Sequence, residues 1–307
     1  MTALGFDTSN YTTSAAAFDG AAGQNCSRLL DVKPGELGLR QSDALFAHVK
    51  RLPELTAALA AQADFRDIAA VGVSTRPRAV EGSYMPCFLV GECQASVLSS
   101  VLGVPLVRVS HQQGHLAAVL FSAGRMDLMD RPFLAWHLSG GTTELLHVEP
   151  EGEAWKCEIL GGTSDISAGQ LIDRTGVLLG LDFPAGKALD QLAQAGEAKP
   201  YPVKVCDMHF SLSGMQNKAA AMAEKSGKNT ARFVLECLIY AISKATEQAR
   251  KQFGPLPAVF TGGVSSNSLL RQAMVPEGGI FGSPACSTDN AMGIAVLTWL
   301  AENGHAE

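Results

Sequence analysis

A short sequence repeat, displaced by 130 residues, constrains the fold of this chain more than any other feature. The segment Leu4-Gly-Phe-Asp-Thr-Ser-Asn-Tyr-Thr-Thr aligns without a gap with Leu134-Ala-Trp-His-Leu-Ser-Gly-Gly-Thr-Thr, and the two match at Leu, Ser, Thr and Thr. Each segment has the pattern of a strand, a tight polar turn and a second strand. The match has two interpretations. It is a coincidence, or it marks two homologous halves that each present a hairpin turn to one ligand.

The rest of the chain alternates short apolar runs with helical stretches, which is the pattern of an α/β protein. Its 307 residues suffice for two hydrophobic cores, and 47% apolar residues are enough to fill both. Predicted helices cover residues 42–61, 88–102, 111–121, 167–180, 230–253, 266–274 and 290–302. Predicted strands cover residues 4–6, 14–18, 68–74, 106–109, 134–138, 144–148 and 259–261.

Charge and cysteine content argue against several classes of protein. The net charge of −6 disfavours a protein that binds nucleic acid through a broad basic face, although Arg76 and Arg78, on either side of Pro77, leave one local basic loop. Seven cysteines without a CxxC pair are typical of reduced thiols rather than of a disulfide framework. No apolar run approaches the roughly 20 residues of a membrane span, so we expect a cytoplasmic protein without a membrane partner.

Three polar turns have the composition of phosphate-binding loops. They are Asp7-Thr8-Ser9-Asn10, Ser139-Gly140-Gly141-Thr142 and Thr261-Gly262-Gly263-Val264-Ser265-Ser266-Asn267. Glycine lets backbone N–H groups approach an anion closely, and hydroxyl groups add hydrogen-bond donors. The third turn lies between a predicted strand and a predicted helix, where the helix N-terminus also favours a nucleotide. A single Gly-Gly turn is usually structural, so the prediction depends on three such turns in one chain.

Two histidines, His111 and His115, are spaced to lie on one face of a helix, which suits capture of a metal ion by both rings. The alternative is a pair of surface histidines. Gln112 follows His111 where a zinc protease has glutamate, so the spacing does not predict a protease. Asp289 either supplies a carboxylate ligand or caps the last predicted helix. Asp173, within a helix, either faces a ribose hydroxyl or pairs with a cation.

These motifs, in this order, resemble those of the TsaD family, once labelled O-sialoglycoprotein endopeptidases. The resemblance covers nearly the whole chain and depends on these segments: Gly-Phe-Asp-Thr-Ser, His-x-x-Gly-His, Ser-Gly-Gly-Thr-Thr, Ala-Gly-Gln-Leu-Ile-Asp, Phe-Ser-Leu-Ser-Gly, Gly-Gly-Val-Ser-Ser-Asn and Thr-Asp-Asn-Ala-Met. It implies an α/β chain with the ASKHA (actin-like ATPase) fold, in which two duplicated RNase H-like domains flank a central cleft. The implied subdomains are residues 1–105 with 290–307, and residues 106–289.

The resemblance also implies an activity, which is transfer of a threonylcarbamoyl group from threonylcarbamoyl-adenylate to N6 of the adenosine next to the anticodon of tRNA. The implied cofactors are one divalent metal ion, iron or zinc, and an adenine nucleotide, either the adenylate or ATP. The implied partners are tRNA, a TsaB-like paralogue and a TsaE-like ATPase.

Site residues follow from the same resemblance. Metal ligands are expected at His111, His115 and Asp289, with His137 as a fourth because a tyrosine ligand of archaeal and eukaryotic relatives stands at that position. The alternative for His137 is a strand histidine without metal. Nucleotide and substrate contacts are expected at Thr8, Ser9, His137, Leu138, Ser139, Gly140, Gly141, Thr142, Asp173, Gly186, Gly262, Gly263 and Asn267. Asp7 is expected to orient water or the attacking amine as a catalytic residue.

The chain departs from the family pattern at several positions near the reactive end. Acidic residues of the family are replaced at Tyr11, Thr12, Gln113, Ile166 and Gln170, and Arg76-Pro-Arg stands in place of Gly-Pro-Gly. These changes predict a divergent paralogue. They leave two alternatives to the implied activity: a carbamoyltransferase with another acceptor, or a regulatory protein that binds a nucleotide without turnover.

Overall fold

The computed structural model describes residues 1–9, 11–31, 39–152, 154–199, 201–283 and 291–304. The chain forms two compact units. The first contains Met1–Met129, Pro150–Lys156 and Thr288–Glu307, and the second contains Asp130–Glu149 and Cys157–Ser287. No helix within the described residues is long and apolar enough to cross a membrane.

The first unit is built on a five-stranded sheet in the order β3-β2-β1-β4-β5. The strands are β1 (Thr2–Thr8), β2 (Thr12–Phe18), β3 (Gly23–Leu29), β4 (Ile68–Arg76) and β5 (Leu106–Ser110). β1, β4 and β5 are mutually parallel, while β2 runs antiparallel to both of its neighbours. The helices of this unit are α1 (Gln41–Ala60), α2 (Phe88–Leu102), α3 (His111–Ser122) and α9 (Ala291–Asn303).

Alternate residues of β1 face opposite layers of helices. Leu4 and Phe6 join the core beneath α1 and α2, because side chains along a strand alternate between the two faces of the sheet. Gly5 faces α9 at such close range that a Cβ atom there would overlap the backbone of that helix. α9 in turn packs against α3, where Gly293 meets the carbonyl of Gly114. This packing groups residues 106–129 with the first unit, whereas the sequence places them in the second subdomain.

The second sheet has seven strands in the order β12-β11-β6-β7-β8-β10-β9. The strands are β6 (Phe133–Leu138), β7 (Thr143–Glu151), β8 (Ala154–Thr163), β9 (Val205–Cys206), β10 (His209–Phe210), β11 (Ala258–Thr261) and β12 (Gly279–Phe281). The helices are α4 (Ala168–Leu178), α5 (Gly186–Gln194), α6 (Ser213–Ala223), α7 (Gly227–Phe253) and α8 (Ser268–Met274). α7 is the longest, and its buried face packs with Trp136 and Phe260 in the core of this unit.

The sequence repeat corresponds to a structural repeat. Leaving out β9 and β10, each sheet has the same order, with a hairpin (β1–β2 or β6–β7) next to a parallel pair (β4–β5 or β11–β12). The hairpin registers are also equivalent, since Ala3 pairs with Phe18 and Phe133 pairs with Val148, each displaced by 130 residues. A chance similarity of ten residues does not predict this register. The structure therefore favours two homologous halves.

Candidate functional site

The carboxyl end of β1 carries a buried acid. Asp7 is 1% exposed, and its carboxylate accepts a hydrogen bond from the hydroxyl of Ser74 on β4. Its two oxygens lie 3.1 and 3.2 Å from Nδ1 of His111. Burial raises the pKa of Asp7, but the charge of His111 and hydrogen bonds from His111, Ser74 and Ser9 outweigh it, so the pKa is lowered overall. Asp7 is therefore a carboxylate at neutral pH, directed at one ring nitrogen of His111.

Two of the three histidines predicted to bind metal lie at the start of α3. His111 is its first residue and His115 follows one turn later, with ring centroids 4.6 Å apart. The helix begins with a capping box, in which the Ser110 hydroxyl accepts the N–H of Gln113 at 3.2 Å and the Gln113 side chain accepts the N–H of Ser110 at 2.8 Å. This cap fixes the first turn of α3 and, with it, the position of His111 beside Asp7.

The donor groups fit a divalent metal ion as far as the described residues extend. A histidine that binds metal through one ring nitrogen usually directs the other at a carboxylate, and Nδ1 of His111 has this relation to Asp7. Asp289, a predicted ligand, lies outside the described residues, and His137 belongs to the second unit. Within the part of the chain that the structure describes, no three His, Cys, Asp or Glu side chains form a metal-binding group.

The first polar turn uses its own side chains to support its structure. The hydroxyl of Thr8 donates to the carbonyl of Cys87 at 2.9 Å and accepts the N–H of Gly91 at 3.1 Å, which ties β1 to the start of α2. Ser9, 9% exposed, helps to hold the Asp7 carboxylate. Asn10 lies outside the described residues. Thr8 is thus engaged with α2, and contact of this turn with a ligand stays a prediction.

The second polar turn closes the β6–β7 hairpin. The Ser139 side chain accepts the N–H groups of Gly141 at 3.3 Å and of Thr142 at 3.0 Å, and the N–H of Ser139 donates to the carbonyl of Thr142 at 2.8 Å. A Cβ atom at Gly140 or Gly141 would have no atom of the described residues within 4 Å. Neither glycine has a positive φ. Internal packing therefore gives no reason for glycine at these two positions, and open space lies beside the turn.

The N-terminus of α4 is docked on this turn. The hydroxyl of Ser167 donates to the carbonyl of Gly140 at 2.6 Å, and the N–H of Gly169 donates to the carbonyl of Ser139 at 3.2 Å. Gly169 is required here, because its Cβ atom would lie 2.6 Å from the carbonyl oxygen of Ser139. The positive end of the α4 dipole thus lies at the Ser139–Thr142 turn, which we name the glycine turn, and its field favours anions there.

The third polar turn lies against the same strand. Gly262 has a φ of +86°, and a Cβ atom there would overlap the carbonyl of Leu138 at the end of β6. Gly263 begins a 3-10 turn, Gly263–Ser266, and α8 then begins at Ser268, two residues after the predicted helix start at residue 266. Asn267 caps α8, since its side chain accepts the N–H of Leu270 at 2.9 Å. The structure therefore brings Leu138, the glycine turn and Gly262 together within the second unit.

Asp173 and Gly186 are brought together by one hydrogen bond. The carboxylate of Asp173 accepts the N–H of Ala185 at 2.8 Å, immediately before Gly186 begins α5. A Cβ atom at Gly186 would also have no described atom within 4 Å. The sequence leaves two alternatives for Asp173, a ribose contact and a cation pair. The ion pairs among the described residues include none that involves Asp173. Contact of Asp173 or Gly186 with a ribose stays a prediction.

His137 occupies the position in the second repeat that Asp7 occupies in the first. Each is at the end of the first strand of its hairpin, and each is contacted by a hydroxyl from the adjacent parallel strand. The hydroxyl of Ser74 donates to the carboxylate of Asp7, and the hydroxyl of Thr261 lies 3.3 Å from Nδ1 of His137. The sequence repeat identifies the pair of positions, but it does not predict the two hydroxyl partners, because nothing in the sequence marks β4 and β11 as the neighbouring strands.

Two of the residues that replace acids of the family have a structural role that sequence reasoning overlooks. Gln113 is the third residue of α3, and Gln170 is the third residue of α4, where it completes a second capping box with Ser167. Glutamine serves this role as well as glutamate. The signal is visible in the sequence as Ser110-x-x-Gln and Ser167-x-x-Gln. The amide of Gln113 also donates to the carbonyl of Trp155 at 2.8 Å, which a glutamate carboxylate cannot do.

Comparison with known proteins identifies the family to which this chain belongs. Residues 36–296 match the family of tRNA N6-adenosine threonylcarbamoyltransferases, TsaD. A protein of that name from Bordetella avium is 34% identical over 244 residues, 74% of this chain and 68% of the relative. Another from Christiangramia forsetii is 31% identical over 244 residues, 74% of this chain and 69% of the relative.

The chain belongs to the TsaD family. Membership confirms the predicted resemblance and the prediction that the chain is an enzyme of the transferase class.

Solved structures show the fold of this TsaD chain. Full-length HypF in its phosphate- and nucleotide-bound form has a TM-score of 0.63 at 13% identity, covering 99% of this chain and 56% of that protein. The activator of 2-hydroxyisocaproyl-CoA dehydratase from Clostridium difficile with bound ADPNP has a TM-score of 0.55 at 13% identity, covering 97% and 94%. Identities this low establish the fold alone, and they confirm the predicted α/β ASKHA (actin-like) fold.

Proposed function

We propose that the chain transfers a threonylcarbamoyl group from threonylcarbamoyl-adenylate to N6 of the adenosine next to the anticodon in tRNA. The N6 amine attacks the carbonyl carbon of the carbamoyl group. A new C–N bond forms, the bond between that carbon and the phosphate oxygen breaks, AMP leaves with the electron pair, and the amine releases one proton. The names of the family and of the relatives support this type of reaction. The residues described above suggest how this chain performs it.

The observation that carries the proposal is the unexplained pair of glycines in the Ser139–Thr142 turn. Gly140 and Gly141 adopt no positive φ, and a methyl group at either position would meet no atom of the described residues within 4 Å. Glycine at such a place suits close approach of a ligand to the backbone. The adjacent N-terminus of α4 suits a negatively charged group, and we assign the phosphate of the adenylate, the leaving group, to this location.

The metal ion is proposed to bind His111 and His115, with Asp289 and His137 as further ligands. A bound divalent cation supplies Lewis acidity that polarises a carbonyl or phosphoryl oxygen. Iron or zinc is compatible with imidazole and carboxylate ligands. Asp7 is assigned a different role from the one its position in the sequence suggests. Because its carboxylate faces Nδ1 of His111, it orients the ring and leaves Nε2 for the metal.

The capping boxes weaken the argument for a protein that has lost its activity. That argument depends on acids missing at Tyr11, Thr12, Gln113 and Gln170. Gln113 and Gln170 cap helices, so their change from acid to amide removes no group that the structure directs at a ligand. We therefore retain the transferase and treat the regulatory protein, and a carbamoyltransferase with another acceptor, as outcomes of the test.

The test is mass spectrometry of nucleosides from tRNA that has been incubated with the full chain. The reaction contains threonylcarbamoyl-adenylate and unmodified tRNA, with and without the TsaB-like paralogue and the TsaE-like ATPase that we expect as partners. We expect threonylcarbamoyl-adenosine, lost in His115→Ala and retained in the control His209→Ala, an exposed histidine on β10 whose Nδ1 lies 2.7 Å from the carbonyl oxygen of Asp207. Consumption of the adenylate without modified tRNA contradicts the assigned acceptor, and absence of turnover contradicts the transferase.

A further inference from the structure

The segment Arg76–Tyr84, which we name the basic–aromatic loop, leaves the carboxyl end of β4 at the candidate metal site. Arg76 is opposite Ser110 in the register of β4 and β5, and Ser110 directly precedes His111. The loop is attached to α3, because the N–H of Gln112 donates to the carbonyl of Pro77 at 3.0 Å. Any molecule that reaches His111 from the side of this loop meets the loop as well.

Internal hydrogen bonds hold the basic–aromatic loop in one shape. The backbone N–H of Arg78 donates to the hydroxyl of Ser83 at 3.0 Å, and the N–H of Ser83 donates to the carbonyl of Val80 at 3.2 Å. The bond between Arg78 and Ser83 thus closes the middle of the loop, and Arg76 and Tyr84 lie just outside this closed segment. A preorganised surface loses less conformational entropy when it binds a partner than a free loop does.

The loop presents basic, aromatic and aliphatic side chains. Arg76 is exposed and has no ion-pair partner among the described residues, although the chain as a whole carries a net charge of −6. Tyr84 is 62% exposed and Val80 is 50% exposed. One acid, Glu81, accompanies the two arginines Arg76 and Arg78. An exposed aromatic ring beside arginines is the combination by which proteins bind single-stranded nucleic acid, through base stacking and phosphate contacts.

We propose that the basic–aromatic loop binds the single-stranded anticodon loop of the acceptor RNA. Arg76 and Arg78 contact its phosphates and Tyr84 stacks on one of its bases. This inference rests on the proposed function and adds to it the surface that holds the acceptor. It also gives a role to the Arg76-Pro-Arg sequence, which the family resemblance leaves as a departure. A protein that is acidic overall then binds RNA through one local basic loop, where the metal-binding histidines lie.

The first experiment measures tRNA binding and transfer by the double variant Arg76→Gln, Arg78→Gln. We expect the KM for tRNA to rise about tenfold with kcat and the affinity for the adenylate unchanged, because the loop contacts only the acceptor. The slope of log K against log salt should become shallower by about 0.7 for each phosphate group that the variant no longer binds. The control is Arg28→Gln on the edge strand β3, an exposed arginine outside the loop; it removes one positive charge where the double variant removes two, and it should change neither quantity.

The second experiment separates stacking from charge. Tyr84→Ser should weaken tRNA binding about tenfold without changing the salt slope, whereas Tyr84→Phe keeps the ring and should bind as the wild type does. A wild-type salt slope and wild-type KM in the arginine double variant would overturn the loop's role while transfer to tRNA continues. If the wild-type chain modifies no tRNA in the presence of its partners, the proposed function itself is wrong. The two failures are therefore distinguishable.

Discussion

Nδ1 of His111 lies 3.1 Å from the buried carboxylate of Asp7, and this contact changes the role that the sequence suggests for the acid. A residue that orients water or the attacking amine must contact that group. Asp7 is 1% exposed and already accepts hydrogen bonds from Ser74 and from His111, so it is placed to position a ring rather than to contact substrate. Experiment can distinguish a residue that orients a reacting group from one that positions the His111 ring.

Replacing Asp7 with asparagine is expected to weaken metal binding by about 10- to 100-fold, because the ring of His111 loses the carboxylate that orients it. Metal titration with the purified variant measures this directly. If Asp7 acts only through His111, saturating metal should restore most of the transfer activity. Activity that stays lost at saturating metal, with metal affinity unchanged, would instead support the catalytic role. Ser74→Ala is the milder companion variant, since the His111 contact remains.

The two capping glutamines are expected to respond differently to the same substitution. Gln170→Glu should leave the free energy of unfolding unchanged or raise it by a few tenths of a kcal/mol, because glutamate caps as well and favours the helix N-terminus. Gln113→Glu should lower it by about 1–3 kcal/mol, since the carbonyl of Trp155 loses its donor and faces a carboxylate. Urea denaturation of both variants checks this. Equal effects of the two substitutions would contradict the assignment of the Trp155 contact.

Because His48 is buried, we expect the protein to lose stability in mild acid. The ring is 0% exposed, and its Nδ1 lies 2.8 Å from the hydroxyl of Thr13. Burial lowers the pKa of His48 below its usual 6.5, assisted by Arg51 and opposed by Ser9 and Asp7. Below pH 6.5 His48 is therefore protonated in the unfolded chain, whereas in the folded chain it stays neutral to lower pH. Stability is fully present above pH 6.5 and falls on acidification by at most about 1.4 kcal/mol per pH unit.

The measurement for His48 compares urea denaturation of the wild type and His48→Gln between pH 7.5 and 5.5. The variant is less stable at the upper pH, but its curve should be flatter across the interval. Parallel curves would show that other groups cause the acid sensitivity.

Gly141→Ala is expected to separate ligand binding from stability. Because a methyl group at this position meets none of the described atoms within 4 Å, the free energy of unfolding should change by less than about 0.5 kcal/mol. The same methyl group stands where the adenylate phosphate is proposed to approach, so nucleotide affinity should fall at least tenfold. Isothermal titration calorimetry with the adenylate or ATP provides the test. Full affinity in the folded variant would remove the glycine turn from the proposed site.

The sequence predicts those elements that contain a run of apolar residues. Helix α2 is predicted with its observed bounds, and the hairpins of the repeat are predicted from short strand-like runs on either side of a polar turn. β3 escapes prediction because Gly23–Leu29 is a mostly exposed edge strand, so it has no buried face to give a periodic pattern. α5 escapes prediction because it has only 9 residues and two fully buried positions.

The site is predictable as a set of positions, and the structure supplies the contacts between them. Sequence reasoning identifies His111 and Asp7 separately, but their contact depends on β1 and β5 lying on either side of β4, which local patterns do not reveal. It also gives Thr8 a ligand contact, whereas its hydroxyl is used to hold α2. The ligand role of Asp289 stays a prediction, since that residue lies outside the described part of the chain.

The equal register of the two hairpins has a consequence for substitutions in their first strands. On one face of the first strand, Leu4 and Phe6 correspond to Leu134 and Trp136, and all four pack into hydrophobic cores. On the other face, Asp7 corresponds to His137, an acid in one copy and an imidazole in the other. Each strand thus combines two interleaved sets of residues: one set packs into a core in both halves, and the other differs between them. A substitution in the second set can change the chemistry at the strand end without disturbing the packing that folds the strand.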